Sequence, residues 1–307
     1  MSHDHQSHAH SAHGNSPASF GRAFAIGIAL NLAYVAGEAV AGVISGSLAL
    51  LADAGHNLSD VLGLSLSWGA AVLSRRQPSG RFTYGLRSSS ILAALANAII
   101  LLVVTGGIAW EAIWRIAHPV PIASGIVVVV AAIGIFINGG TALLFASGSA
   151  DLNVKSAFLH LAADALVTAG VVVAGIVIWL TDWRWLDPAV SLVVSAVIVL
   201  GTWGLLKSAI GLALNAVPEG VNAAAVRAHL LALPGVAGLH DLHIWGMSTT
   251  ETALTCHLIM PAGHPGDAVL NGIAQQLHHR FAIEHATIQI ELADTDEACA
   301  LTPEHLV

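Results

Sequence analysis

The chain contains two histidine–aspartate pairs of identical spacing inside long apolar segments. His56 and Asp60 lie four residues apart in one segment, and His160 and Asp164 repeat the pattern in another. Residues four apart face the same side of a helix, so each pair presents an imidazole and a carboxylate together. Ionisable side chains are costly in hydrocarbon and usually mark a functional site there. Two such faces would supply two nitrogen and two oxygen ligands, which suits tetrahedral Zn²⁺.

One pair alone could be a self-contained buried contact, but the repeat in a separate segment favours a shared metal site. Two further acidic residues lie in the same apolar region. Asp53, one turn before His56, is interpreted either as a relay for ions or protons or as a cap of the helix start. Glu38 is the intramembrane polar residue that we expect to line a pathway.

The composition places these pairs in a membrane. Of 307 residues, 55% are hydrophobic and only 10% are charged, whereas soluble domains carry about 25% charged residues. The mean hydropathy is +0.75. Repeated apolar runs of bilayer-spanning length predict six transmembrane helices. Their expected ranges are 20–44, 48–73, 88–116, 122–146, 152–180 and 187–215.

The distribution of lysine and arginine predicts the orientation of these spans. One side of the membrane receives Arg22, Arg75, Arg76, Arg81, Arg87, Lys155 and Lys207, and the other receives Arg115 and Arg184. The positive-inside rule places the richer side, and with it both termini, in the cytoplasm. The compact connections favour a bacterial plasma membrane.

After Pro218 the pattern changes from long apolar runs to short alternating elements. Helix 221–233, strands 239–247 and 252–260, helix 265–281 and strand 287–292 are expected. This α-β-β-α-β order predicts a small α+β domain of the ferredoxin or metallochaperone kind, with both helices on one face of the sheet. From Glu219 onward ten acidic residues outnumber Arg227 and Arg280, which accounts for the net charge of −8. Such a domain attracts cations and repels nucleic acid.

Three regions follow from these patterns. We expect residues 1–17 to form a disordered cytoplasmic arm, residues 18–215 a six-helix transmembrane domain, and residues 216–307 a cytoplasmic domain that could bind metal and pair with a second copy. The arm is rich in histidine, and such tracts bind metals loosely. Its histidines are His3, His5, His8, His10 and His13. Cys256 and Cys299 make no CxxC motif and give no reason to expect a disulfide.

Together these motifs resemble the cation diffusion facilitator family, in particular its zinc-transporting branch. The matching stretches are SLALLADAGHNLSD, RFTYG…R and HDLHIW, in addition to the two HxxxD pairs. The resemblance implies a homodimer, not an enzyme, that exports Zn²⁺ in exchange for protons and needs no other cofactor. It also implies a cytoplasmic zinc site at His240, His257 and Glu291. The family often has a further histidine three residues before TIQ, where this chain has Glu284 with His285 beside it. These two residues and His243 are the less certain ligands.

Other functions are open on the sequence alone. The cargo could instead be Cd²⁺, Co²⁺ or Fe²⁺, or the protein could be a membrane zinc sensor or store that transports nothing. An intramembrane metalloenzyme would need a general base and an open metal position. The chain has no HExxH motif, and four protein ligands would close the site. Histidine titrates near neutral pH, so protons would compete with zinc for these ligands.

Overall fold

The structure is a computed structural model that describes residues 20–74, 76–146, 152–292 and 299. Residues 1–17, which we expect to form the histidine-rich arm, lie outside the described residues. The side chain of His160 also lies outside them, although its backbone position in a helix is given.

Six long helices form the first part of the described chain. They are α1 (Phe20–Ser45), α2 (Leu48–Ser74), α3 (Ser89–Ala117), α4 (Ser124–Ala146), α5 (Leu152–Thr181) and α6 (Leu186–Ala213). Their lengths run from 23 to 30 residues, which at the helical rise gives roughly 35–45 Å, enough to cross a hydrocarbon core of about 30 Å. Among the described residues, α3, Ala162–Thr181 of α5, and α6 are long and apolar enough to span a membrane. The expected six-helix architecture is confirmed.

Helix α2 lies where several helices meet. It packs against α1, α3 and α6 and, over a short stretch, against α5. Helices α4 and α5 pack along each other, and so do α3 and α6. Small side chains permit these close approaches: a Cβ added to Gly175 would lie 2.9 Å from a methyl carbon of Val128. The side chains of α2 can therefore meet those of α5.

The start of α2 is fixed by an aspartate that is distant in sequence. The hydroxyl of Ser47 accepts the Leu50 N–H at 3.1 Å, which is the N-cap geometry. The carboxylate of Asp187, at the start of α6, accepts the Ser47 hydroxyl and the N–H groups of Leu48 (2.7 Å) and Ala49 (3.4 Å). Together the two side chains satisfy donors that the first helical turn leaves unpaired.

Replacing Asp187 by asparagine is expected to destabilise the transmembrane part. The amide keeps the shape of the side chain but loses the charge, and its NH₂ group must face backbone donors. The free energy of unfolding should therefore fall by about 2 kcal/mol. The melting temperature in detergent should fall by roughly 4–8 °C. Asp182→Asn is the matched control because its carboxylate pairs with Arg184 on the exposed surface. Equal melting temperatures for the two variants would contradict the capping role.

The second part of the chain is a three-stranded sheet with two helices. It contains α7 (Ala223–Leu231), β1 (Gly238–Gly246), β2 (Thr252–Ile259), α8 (Asp267–Phe281) and β3 (His285–Glu291). The strands lie in the order β1-β2-β3, with β1 antiparallel and β3 parallel to β2. Leu254 and Leu258 of β2 pack with Leu230 and Leu277 from the two helices. Both helices thus cover one face of the sheet, as the sequence predicted.

The turn between β1 and β2 contacts the connection between α2 and α3. Arg87 forms a 2.7 Å ion pair with Glu251, and the Thr249 N–H donates to the Ser90 hydroxyl at 3.1 Å. These contacts join the α+β domain to the helix end from which α3 begins. The domain therefore lies at the same end of the helices as the basic α2–α3 connection.

Candidate metal centres

Three ligand-type side chains from two helices meet in the membrane part. Atoms of His56, Asp60 and Asp164 lie within 4.8 Å of one another. The His56 Nε2 is 3.1 Å from the Asp164 Oδ1 and 3.8 Å from the Asp60 Oδ2. The shorter contact, to Asp164, thus joins α2 to α5, whereas the longer contact, to Asp60, lies within α2. His160 stands one turn before Asp164 in α5, but its side chain lies outside the described residues.

These side chains line a cavity of about 370 Å³ between α2, α3, α5 and α6. The exposed side-chain fraction is 34% for Asp60 but only 8% for Asp164, so the first carboxylate is partly exposed and the second is buried. On α6 the lining runs from Val194 to Leu205. It extends towards the end of α6 that leads into the α+β domain.

The cavity suits a divalent cation. None of the described residues that line it is a lysine or arginine, and it contains two carboxylates and one imidazole. Buried carboxylates without a cation are unfavourable, so the site gains stability when a positive ion enters. Imidazole nitrogen with carboxylate oxygen is a ligand set typical of Zn²⁺, whereas Mg²⁺ and Ca²⁺ prefer oxygen alone.

Asp53 and Glu38 lie beside this ligand group and are both fully buried. The carboxylate of Asp53 accepts the Thr168 hydroxyl at 2.9 Å. That of Glu38 accepts from Tyr34 at 3.1 Å and from Asn57 at 3.2 Å. Asp53 does not cap α2, because that cap is supplied by other residues. The capping interpretation of Asp53 is therefore wrong, and its role as a relay for ions or protons stays a prediction.

A second group of ligand-type side chains lies on the sheet. Atoms of His240, His257, Glu291 and Cys299 lie within 4.8 Å of one another. The Glu291 carboxylate is 2.9 Å from the His240 Nε2 and 2.7 Å from the His257 Nδ1. The Cys299 Sγ is 3.7 Å from the His257 Nδ1. Burial alone would raise the pKa of Glu291, but hydrogen bonds with His240, Cys299 and His257 hold it below its usual value.

Strand register explains why these residues meet. His240 pairs directly with His257 across β1 and β2, and their ring centroids are 4.9 Å apart. Glu291 is opposite Ile259, two residues further along the same face. Because Leu254 and Leu258 of β2 point into the helix-covered core, His257 projects from the opposite face of the sheet.

A bulge in β1 changes the role of the second histidine in HDLH. The register shifts between His240 and His243, and Asp241 has φ of 50°. Aspartate tolerates this left-handed conformation better than most residues. The Asp241 carboxylate lies 2.8 Å from the His243 Nε2 and 3.5 Å from the His257 Nε2. His243 therefore contacts the His240–His257 group through Asp241. The sequence had not indicated a role for Asp241.

Glu284 and His285 are at the other end of the strands. The Glu284 carboxylate accepts the Thr252 N–H at 2.7 Å. His285 pairs with Ala253, and its ring meets that of Tyr84 edge-on at 5.5 Å. His285 and Glu291 are the first and last residues of β3, six positions apart, or about 20 Å. Within one chain, neither residue joins the His240–His257 group.

Cys299 is the ligand-type residue that sequence reasoning missed. It follows β3 at no recognisable spacing from the histidines, so no motif marks it. Cys256, the other cysteine, is buried in the core, and burial raises the pKa of its thiol to about 12. Such a thiol is a poor metal ligand, since the thiolate is the form that binds metal. Only Cys299 lies among potential ligands.

Comparison with known proteins covers nearly the whole described chain. A family model described as the cation efflux transmembrane domain matches residues 24–212. A second, described as the cytoplasmic domain of cation efflux proteins, matches residues 218–293. These ranges correspond to the six-helix part and the α+β part of the structure.

Curated relatives share this architecture over most of their length. The chain is 38% identical to the cation efflux system protein CzcD of Alcaligenes sp. (strain CT14), over 91% of this chain and 89% of that protein. It is 38% identical to the zinc transporter ZitB of Escherichia coli (strain K12), over 83% and 82% of the two chains. It is 31% identical to the cadmium, cobalt and zinc/H(+)-K(+) antiporter of Bacillus subtilis (strain 168), over 84% and 85%.

A solved structure of the metal-bound C-terminal domain of the CzcD transporter from Cuprividus metallidurans is 42% identical to this chain. It covers 24% of this chain and 100% of that one, with a TM-score of 0.21. The family models and the curated relatives agree with the two-part fold. The chain therefore belongs to the cation efflux family, the cation diffusion facilitators, and is a membrane protein that joins the transmembrane and cytoplasmic domains of that family.

Proposed function

We propose that the protein exports Zn²⁺ from the cytoplasm in exchange for protons, with the ion held between α2 and α5. The observation that carries the proposal is the 3.1 Å contact between His56 and Asp164, which joins the two helices beside Asp60. His160, one turn before Asp164, is proposed as the fourth ligand. Four ligands of this kind suit tetrahedral Zn²⁺.

The cavity supports loading from the cytoplasmic side. Its lining extends along α6 towards the α+β domain, which the positive-inside rule places in the cytoplasm with both termini. Protons supply the driving force, since an imidazole must be neutral to bind metal. Protonation of the histidines weakens the site and releases zinc on the far side.

Names of relatives support the same cargo and coupling. One relative is called a zinc transporter, and another a cadmium, cobalt and zinc/H(+)-K(+) antiporter. These bacterial relatives also support a plasma-membrane location in a bacterium.

The cytoplasmic group is proposed to bind a second Zn²⁺ that stays with the protein. His240, His257 and Glu291 are its ligands, and Cys299 adds a thiolate. We further propose that the protein is a homodimer, that residues 216–307 contain the dimer contacts, and that residues 1–17 form a disordered arm that captures zinc.

Transport by reconstituted protein tests the main proposal. Vesicles with an acidic, zinc-indicator-loaded lumen should take up zinc, and the lumen should lose protons as zinc enters. His160→Ala and Asp60→Ala should abolish this flux. Undiminished flux in both variants would overturn the ligand assignment, and tight zinc binding without any flux would instead support a zinc sensor. Competition by Cd²⁺, Co²⁺ and Fe²⁺ in the same assay establishes the cargo.

The thiol of Cys299 has a measurable effect of its own. Cys299→Ala should weaken zinc binding at the cytoplasmic group by about 10-fold or more, since one ligand is lost. Zinc should also protect Cys299 from alkylation in the wild-type protein. Cys256→Ala is the matched control, because that thiol lies in the core and away from the ligands. A zinc affinity equal in both variants would rule Cys299 out.

A further inference from the structure

A buried acidic network lies next to the membrane ligand group but outside it. Glu38 and Asp53 come from α1 and α2, and neither side chain is exposed to solvent. Both oxygens of Glu38 accept hydrogen bonds, one from Tyr34 and one from Asn57. The Asp53 Oδ2 accepts from Thr168, whereas its Oδ1 meets no donor among the described residues.

Asn57, which donates to Glu38 at 3.2 Å, is four residues after Asp53 on the same face of α2, so the two carboxyl groups are neighbours. A hydrogen bond between two carboxyl groups requires a proton on one of them. The titratable groups that face the pair are Tyr34 from α1, His56 from α2 and Asp164 from α5. No lysine or arginine is among the described residues that face it. Two neighbouring buried carboxylates without a fixed cation repel each other when both are ionised, so the pair is suited to hold one proton.

A single hydroxyl connects this pair to the ligand group. The Thr168 Oγ1 is 2.9 Å from the Asp53 Oδ2 and also 2.9 Å from the backbone oxygen of Asp164. One hydroxyl proton cannot fully serve both acceptors. When Asp53 is ionised, the hydroxyl donates to it, and when Asp53 holds a proton, the hydroxyl is free to donate to Asp164.

The pair also lies on a particular side of the ligands. Asp53 is one turn closer to the start of α2 than His56, or about 4.5 Å along the helix axis. Glu38 lies near the end of α1 that leads into this start. The cavity extends the opposite way along α6. The acidic pair thus lies between the metal ligands and the far side of the membrane.

We infer that Glu38 and Asp53 form a proton-binding pair, distinct from the metal ligands, that is loaded from the far side of the membrane. A proton from far-side water forms an O–H bond with one carboxylate and neutralises the pair. A doubly charged ion beside Asp53 favours the ionised pair, so zinc binding from the cytoplasm breaks that O–H bond, and the proton leaves to the cytoplasm through the ligand cavity. When zinc leaves, the protonated pair is again favoured. The inference rests on the proposed zinc/proton exchange and assigns one of its protons.

The packing around Glu38 fits a dedicated site. A Cβ added to Gly134 of α4 would overlap the Tyr34 hydroxyl. The phenol therefore occupies space that only a glycine leaves open, and it holds its donor towards Glu38. This donor stabilises the ionised carboxylate that the exchange cycle requires.

The test is the ratio of protons to zinc in vesicles that contain a pH dye and a zinc indicator. Glu38→Gln removes the proton-accepting group but keeps the shape, and the ratio should fall by about one proton per zinc ion. Zinc affinity in detergent at neutral pH should stay within about threefold of the wild-type value, because Glu38 is not a ligand. Glu111→Gln is the matched control, since Glu111 pairs with Arg115 at the surface of α3 and should leave the ratio unchanged.

The outcomes distinguish the proposed zinc/proton exchange from the inference about the acidic pair. No zinc flux, or flux without protons, in the wild-type protein defeats the proposed function itself. Proton-driven wild-type flux with an unchanged ratio in Glu38→Gln overturns only the acidic pair. If Glu38→Gln does not fold, Tyr34→Phe replaces it. Losing that donor should move the midpoint of the pH dependence of flux upward by about 0.5–1 pH unit, and an unmoved midpoint overturns the inference.

Discussion

Replacing Asp164 by asparagine is expected to abolish zinc transport while leaving the fold intact. The substitution keeps the side-chain shape but removes the negative charge that faces the His56 Nε2 at 3.1 Å. A neutral amide is a much poorer zinc ligand than a carboxylate, and this position is buried, so water cannot easily substitute. Zinc flux into vesicles should fall at least about 100-fold, since even losing an indirect partner costs 10–100-fold.

The matched control is a substitution of Thr202, which lines the same cavity. Thr202→Val is also isosteric and also changes a buried polar side chain, but Thr202 is not among the clustered ligands. It should retain flux within about threefold of the wild-type value. Melting temperatures of both variants in detergent report whether folding is affected. If Asp164→Asn transports zinc as Thr202→Val does, then Asp164 is not a ligand.

Replacing His257 by alanine is expected to remove the cytoplasmic metal site. His257 is the central member of its group, because its ring faces Glu291 at 2.7 Å and Asp241 at 3.5 Å and lies beside that of His240. Its loss removes one imidazole ligand from the centre of the group. Zinc affinity at this site should fall by about 100-fold or more.

Titration against a chromophoric chelator separates the two sites. In His257→Ala one class of bound zinc should disappear, whereas the class that depends on His56 and Asp164 should remain. His279→Ala is the matched control, because His279 is exposed on α8 and alanine suits a helix. Loss of both classes in His257→Ala would mean that the cytoplasmic domain governs access to the transport site.

The sequence alone was sufficient for most of the fold. Apolar runs of membrane-spanning length located α1 to α6, and short alternating runs located the strands, because both signals are local and strong. Proline and glycine marked the ends: Pro188 falls in the first turn of α6, and Pro234-Gly235 follow α7. Observed ends lie within a few residues of the predicted ones.

The candidate sites were only partly predictable, because the deciding contacts are not local. Spacing placed His56 and Asp60 on one helix face, but it could not show that the imidazole lies closer to Asp164 on α5. The HDLH motif drew attention to His243, yet a bulge at Asp241 moves that side chain away from the main group. Cys299 carries no periodic or motif signal, so only three-dimensional proximity identifies it.

The cap of α2 by Asp187 also affects how the protein is made. The residues that it joins, Ser47 and Asp187, are 140 positions apart. A chain emerging from the ribosome therefore inserts its first two helices long before the acceptor for the start of α2 has been synthesised. Until then, water or lipid headgroups must satisfy those N–H groups. The insertion of α6 thus supplies the last acceptor for the start of α2. Assembly of the membrane domain is therefore completed only after α6 has been made.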